Sequence, residues 1–109
     1  MADLLGAFEQ AVLLAIVKAG EDAYGRSVLR GVEDALNRGV AAGAVYATLN
    51  RLESKRLISS RLGEGTAERA GRARRYYRLT ASGAAALNES KAALEQLWQG
   101  AKWPLGAGA

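Results

Sequence analysis

The chain contains neither cysteine nor histidine among its 109 residues. Without thiolate or imidazole ligands, the zinc and soft-metal sites that depend on them cannot form, and neither can a disulfide framework. Nucleophilic sites that pair serine or cysteine with histidine are excluded as well. No pairing of lysines, tyrosines or carboxylates stands out in their place. The composition therefore argues against an enzyme and against a metal- or redox-sensing protein, and we expect no cofactor.

Long apolar runs are also missing. The longest, Ala11 to Val17, falls far short of the roughly 18 residues that a membrane helix needs. The start, Met1 to Leu4, lacks the basic segment and cleavage site of a secretory signal. A chain of this length is expected to form one domain with one modest core. We therefore expect a cytoplasmic protein with no membrane association.

Positive charge is concentrated in one segment. Nine basic and three acidic residues lie between Arg51 and Arg78, whereas the remainder carries six basic and eight acidic residues. A basic segment on a neutral-to-acidic frame is typical of a protein that binds a polyanion. A solvated basic loop would show the same charge, so this observation leaves both interpretations open.

Three helices are predicted in the first half of the chain. Apolar residues recur at helical spacing over Leu4–Ala19, Tyr24–Asn37 and Gly43–Lys55, and Gly20 supplies a stop signal after the first. In the third helix an apolar stripe opposes a polar side that is not mainly acidic. That outer side carries Ala47, Asn50, Arg51 and Ser54, with Tyr46 and Thr48 on its flanks. Such a face is suited to lying against DNA.

A β-hairpin is predicted next. Two short strands, Leu57–Leu62 and Arg74–Thr80, flank a turn signal at 63–66 and a loop at 67–73. Strand alternation sends Arg75 to one face and Arg74 to the other. Three helices followed by a hairpin predict a mainly α, α+β fold of the winged helix-turn-helix type.

A final helix is expected over residues 81–99, capped by Thr80. Its apolar seam has no remaining partner within a monomer of this size, which favours a dimer interface. We therefore divide the chain into a DNA-binding winged helix (1–79), a dimerisation helix (80–100) and a flexible tail (101–109).

Three segments carry a resemblance to a known family. They are DAYG at 22–25, GAVYATLNRLE at 43–53 and GRARRYYRLTASG at 71–83. With them the chain resembles the PadR family of transcriptional regulators, of the short type with a single C-terminal helix. The resemblance spans about Leu4 to Leu97.

The resemblance implies a homodimer that binds a roughly palindromic operator, usually as a repressor released by a small effector. Dimer contacts are expected from the C-terminal helix (about 81–99) and the N-terminal helix. Two departures stand out. Ala41 and Ala42 replace a Ser or Thr near the start of the third helix, where Gly43 would serve as a weaker cap. Arg56 replaces a glycine before the first strand, so it must tolerate or avoid a left-handed conformation.

Double-stranded DNA is the expected partner. An asparagine amide can pair with adenine and a guanidinium with guanine, whereas Tyr46 and Thr48 suit phosphates or a thymine methyl. Arginines of the hairpin suit phosphates or a narrow minor groove. The candidate DNA-contacting residues are Tyr24, Gly43, Tyr46, Thr48, Asn50, Arg51, Arg69, Arg72, Arg74 and Arg75. For Arg51 an intrahelical ion pair is the alternative, and for Tyr46 partial burial against the second helix.

Two further interpretations stay open. The resemblance implies that Trp98 and Trp103 are candidates for stacking a flat hydrophobic effector at a dimer centre. The alternatives are that Trp98 fills the dimer interface and that Trp103 holds the tail. The alternative function is a winged-helix module whose basic hairpin binds acidic protein or RNA. Preference for an inverted-repeat duplex over random DNA would separate the two functions.

Overall fold

A computed structural model describes residues 4–63 and 73–102. Its helices are α1 (Ala7–Ala19), α2 (Gly25–Leu36), α3 (Ala42–Ser54) and α4 (Ala81–Trp98), and its strands are β1 (Ile58–Leu62) and β2 (Arg75–Leu79). A 3-10 turn at Gly20–Asp22 follows α1, directly after the stop predicted at Gly20. The order of elements confirms the predicted α+β fold with three helices, a hairpin and a last helix.

One apolar core joins the first three helices to the hairpin. Its largest side chains come from each of these elements at helical or strand spacing, and all are almost fully buried: Val12, Leu13, Ile16, Val28, Val32, Val45, Leu49, Leu52 and Ile58. Burial of a Val, Leu or Ile side chain contributes about 1.5–3 kcal/mol each. This core fixes the angle at which α3 and the hairpin are presented to solvent.

The hairpin is attached to the start of α2 as well as to its own partner strand. β1 and β2 are antiparallel, with Ile58 opposite Leu79. On the other edge of β2, Tyr76 forms a bridge with Tyr24, and the Tyr77 N–H donates to the Ala23 carbonyl at 2.8 Å. The segment before α2 is therefore joined to the free edge of β2 by a single bridge, beside a two-stranded sheet.

The start of α3 differs in detail from the prediction. The helix begins at Ala42, Ala41 occupies the N-cap position, and no side chain caps it. Gly43 lies inside the first turn, so the expectation that it serves as the cap is wrong. A Cβ at this position would meet nothing within 4 Å, which places Gly43 on open surface.

Two residues shape the ends of the hairpin. Arg56 adopts the left-handed conformation, with φ at 63°. For a non-glycine residue this costs roughly 1–2 kcal/mol. Thr80 caps α4 as predicted: its Oγ1 accepts from the Gly83 N–H at 3.0 Å and donates to the Arg56 carbonyl at 2.8 Å.

The two halves of α4 have different surroundings. Gly83, Ala86 and Ser90 are buried against the body, and the Ser90 hydroxyl accepts from the Leu5 N–H at 3.0 Å. Beyond them, Leu94 and Leu97 are exposed. In the residues that the structure describes, no helix is both long and apolar enough to cross a membrane.

Candidate nucleic-acid interface

The outer face of α3 is open to solvent. Gly43, Tyr46 and Asn50 are all exposed along it. Within residues 4–63 and 73–102, the Asn50 amide makes no hydrogen bond, so both its donors and its acceptor are available to a base edge. Asn50 thus has the exposed amide, unbonded among the described residues, that made it a candidate for contact with a base.

Tyr46 combines exposure with contact to α2. Its side chain is 46% exposed, yet a Cβ placed on Gly25 would lie 2.5 Å from its ring and its hydroxyl. Real Cβ atoms do not approach so closely, so a glycine at residue 25 is what allows the ring to lie against the start of α2. The two interpretations of Tyr46 are therefore compatible, because one edge is packed and the remainder faces outward.

Thr48 is not on the exposed flank where the sequence analysis placed it. Its side chain is 3% exposed, and its hydroxyl accepts from Arg51 Nη2 at 3.3 Å. The reason is helical phase: Thr48 lies on the side of α3 that also buries Val45 and Leu52. A buried hydroxyl does not reach a duplex, and we leave Thr48 out of the interface.

Arg51 pairs with an acidic residue of another helix. Glu9 of α1 lies 3.5 Å from Arg51 Nε and 3.1 Å from Lys55 Nζ, and its other oxygen accepts from the Gly6 N–H at 3.2 Å. Burial acts to raise the pKa of the Glu9 carboxyl, but its bonds to Lys55, Gly6 and Arg51 together hold that pKa below its usual value of 4.5. The intrahelical ion pair given as the alternative for Arg51 is wrong, because its partner lies on α1 and not on α3.

Arg75 connects the hairpin to α3. Its Nη1 donates to the Ser60 hydroxyl at 2.9 Å, and that hydroxyl donates to Glu53 Oε2 at 2.5 Å. Tyr77, in the same strand, is buried, and this burial raises the pKa of its phenol. The hairpin arginine and the outer helix are thereby held on the same side of the molecule.

Arg74 lies over an aromatic ring of the α2 start. Its guanidinium carbon is 4.1 Å from the Tyr24 ring centroid. Tyr24 in turn meets Tyr76 edge-on at 5.9 Å, and Arg61 covers Tyr76 at 4.9 Å. Arg74 and Arg75 border the same recess although alternation assigns them opposite faces, because Arg74 precedes β2 and folds over Tyr24.

Several residues that shape the candidate interface were not predicted from the sequence. Glu9, Glu53 and Ser60 act through side-chain contacts between different elements, for which spacing gives no signal. Arg26 and Arg30 had a usable signal, since their i, i+4 spacing puts them on one exposed side of α2. They border the recess beside Tyr24.

Three predicted residues lie outside the described part of the chain: Arg69, Arg72 and Trp103. Trp98 lies at the end of α4 with its side chain 52% exposed. Its position next to the exposed leucines of that helix agrees with the location from which an effector role was predicted, while the role itself stays a prediction.

Comparisons with known proteins agree with this architecture. The model of the transcriptional regulator PadR-like family matches residues 13–89. Transcriptional regulator Rv3488 of Mycobacterium tuberculosis is 47% identical over 60 residues, which are 53% of this chain and 50% of that protein. The chain thus spans about half the length of this curated relative.

Solved structures of the same family superpose on the chain. A PadR family regulator from Eggerthella lenta is 29% identical, with a TM-score of 0.65 over 82% of this chain and 75% of that one. A PadR family regulator from Clostridium difficile is 26% identical, with a TM-score of 0.66 over 85% and 95% of the two chains. These relatives are named as transcriptional regulators, which is the class of function expected from the resemblance. With a family match over most of its length, the chain belongs to the PadR-like family of transcriptional regulators.

Proposed function

We propose that this protein is a cytoplasmic, sequence-specific regulator that binds double-stranded DNA as a homodimer and represses transcription from an inverted-repeat operator. The observation that carries the proposal is the pairing of an exposed polar helix with an arginine-bearing hairpin on one side of the molecule. The link from Arg75 through Ser60 to Glu53 holds them together. A helix of this width fits the major groove, and guanidinium groups suit the flanking phosphates.

Asn50 is the residue that we assign to base readout. It is exposed at the middle of the outer face, and its amide is uncommitted within the described ranges. Tyr46 and Gly43 lie on the same face, where the backbone at Gly43 allows close approach of a phosphate. Phosphate contacts set the register of a protein on DNA, and base contacts set its sequence preference.

Selection from a random duplex library tests this function directly. We expect the full chain to enrich an inverted repeat and to bind it about 10³-fold or more over random duplex. Asn50→Ala should change the enriched sequence, because it removes a base contact and no phosphate contact. Binding to acidic peptides or RNA with no preference among duplexes would overturn the proposal and support the alternative module.

The homodimer is supported by the exposed apolar end of α4. Leu97 is 72% exposed, and Leu94 and Trp98 are each about half exposed next to it. Leu14 of α1 is exposed as well, and α1 contacts α4. The exposed apolar side chains of α4 lie three and four positions apart, on one side of the helix, and clustered apolar surface of this kind marks an association site. In the proposed division, residues 1–79 bind DNA and the helix within 80–100 joins the two subunits.

Sedimentation equilibrium checks the dimer. Leu97→Glu should shift the chain towards monomer, because a charge would be buried in the interface. Ala92→Glu is the matched control, since Ala92 is exposed on another side of α4. A wild-type chain that sediments as a monomer would contradict the homodimer. Trp98 is proposed to stack a flat hydrophobic effector, which quenching of tryptophan fluorescence by such a compound in a Trp103→Phe chain would detect.

A further inference from the structure

A small recess lies between the start of α2, the outer face of α3 and the start of β2. Its volume is about 300 Å³. Arg26 and Arg30 border it from α2, Arg74 and Arg75 from the hairpin, and Tyr46 from α3. Neither the core nor the strand pairing requires four arginines around one cavity.

Among the residues that the structure describes, these four arginines have no acidic partner. Within residues 4–63 and 73–102, the ion pairs are those of Glu9 with Arg51 and Lys55, so no carboxylate oxygen lies within 4.0 Å of any arginine at the recess. Among the same residues, Arg75 is bonded only to a hydroxyl. Like charges gathered without a counter-charge repel one another, and an anion bound between them removes that cost.

The guanidinium of Arg74 is held in place by an aromatic ring. It lies 4.1 Å from the centroid of Tyr24, and its Nε is buried with no hydrogen-bond partner in the described part of the chain. Tyr24 is itself fixed by its bridge to Tyr76 and by the edge-on contact with that ring. A cation over a fixed ring loses less conformational freedom on binding than one on a free side chain.

We propose that the recess is a binding site for a single backbone phosphate of the duplex. Arg26 and Arg30 supply charge from α2, and the ring of Tyr24 is a positioning group for Arg74. This inference rests on the proposed DNA-binding function and assigns Tyr24 a role through its ring. The site exists only while the hairpin is docked on α2, because its arginines come from both.

Size and location favour a duplex phosphate. The recess adjoins Tyr46, on the face of α3 assigned to the major groove, and the sugar–phosphate backbone borders that groove. The cavity is large enough for a phosphate group. A guanidinium group can donate two parallel hydrogen bonds to phosphate oxygens. Tyr24 and Tyr46 line the recess with aromatic carbon beside these arginines.

Salt dependence of binding to a random-sequence duplex tests the charge of the recess. Replacing Arg26 and Arg30 together by glutamine should lower the slope of log K against log salt by up to about 0.9, the value for one phosphate that is no longer neutralised. Arg38→Gln is the control, because Arg38 is exposed beyond the end of α2 and away from the recess. It should lower affinity less and leave most of the slope. If Arg38→Gln lowers the salt slope as much as the Arg26 and Arg30 substitutions do, the proposed site is wrong.

The role of Tyr24 is tested with two substitutions. Tyr24→Leu removes the ring and should lower affinity and slope as much as Arg74→Ala does, whereas Tyr24→Phe should rescue both. Tyr24→Leu in an Arg74→Ala background should then have no further effect. If Tyr24→Phe binds as poorly as Tyr24→Leu, the hydroxyl is the contact and the positioning role is wrong.

The same measurements separate this inference from the proposed function. A wild-type chain that binds no duplex overturns both. A wild-type chain that binds DNA while every recess variant keeps its slope overturns the phosphate site alone. Circular dichroism of each variant identifies loss of folding, and the arginine substitutions at exposed positions carry the test if Tyr24→Leu does not fold.

Discussion

Two groups of positive charge on this molecule differ in what neutralises them. Arg51 and Lys55, at the end of α3, share the carboxylate of Glu9. The four arginines of the recess have no such partner among the described residues. Each cation of either group counts equally toward the formal charge of +4. A charge count therefore overstates the number of cations that are available to bind a polyanion, because part of the charge is already balanced within the fold.

The largest effect is expected from the unbalanced group. Arg74→Ala combined with Arg75→Ala should weaken binding to any duplex by roughly tenfold for each guanidinium–phosphate bond removed, since a charge-assisted hydrogen bond contributes about 1.5 kcal/mol or more. The salt slope should fall in parallel. Fluorescence anisotropy at several salt concentrations measures both. If Arg51→Ala has as large an effect as this pair, the contrast between the two groups is wrong.

A smaller effect of opposite sign is expected from the balanced group. Glu9→Gln removes the carboxylate and should strengthen binding to random duplex by a few-fold, because a surface ion pair is worth about 1 kcal/mol or less. Adding Arg51→Gln to this variant should cancel the gain. Unchanged affinity in Glu9→Gln would mean that Arg51 and Lys55 do not reach DNA even when released.

The smallest effect concerns acid stability. Since the pKa of Glu9 in the folded chain lies below 4.5, its ionised form stabilises the fold above that pH. This contribution disappears as the pH falls from about 4.5 through the folded-state pKa. Urea unfolding of wild type and Glu9→Gln should therefore converge as the solution is acidified. Curves that stay parallel would show that the ion pair adds nothing to stability.

Patterns along the chain predicted most of the fold. Apolar spacing located the core helices within one to three residues, and the hydroxyl of Thr80 marked the start of α4. The burial of Thr48 was not predicted because it lies at the edge of the apolar stripe of α3. Successive residues of a helix differ by about 100° in direction, so a small error in the position of that edge changes a residue from exposed to buried. The pairing of Arg51 with Glu9 lies 42 positions away in the chain, so only the packing of α1 on α3 reveals it.

The recess could be foreseen only in part. Arg74 and Arg75 were selected as hairpin arginines, and Tyr24 through its place in a motif. Their convergence depends on the bridge between Tyr24 and Tyr76, which pairs a loop with a strand 52 positions later. Gly25 is the most informative residue in retrospect, because its missing side chain leaves room for Tyr46.

The hydrogen bond from Leu5 to Ser90 has a practical consequence for anyone shortening the chain. Ser90 is 4% exposed, and the Gln10 amide bonds the Leu5 carbonyl at 2.9 Å. Deleting the first five residues would leave the buried Ser90 hydroxyl without its hydrogen-bond donor and lower the free energy of unfolding by about 1–3 kcal/mol. It would also loosen α4 where its exposed end begins. Shortening the amino-terminal segment would thus weaken the attachment of the last helix, which lies at the opposite end of the sequence.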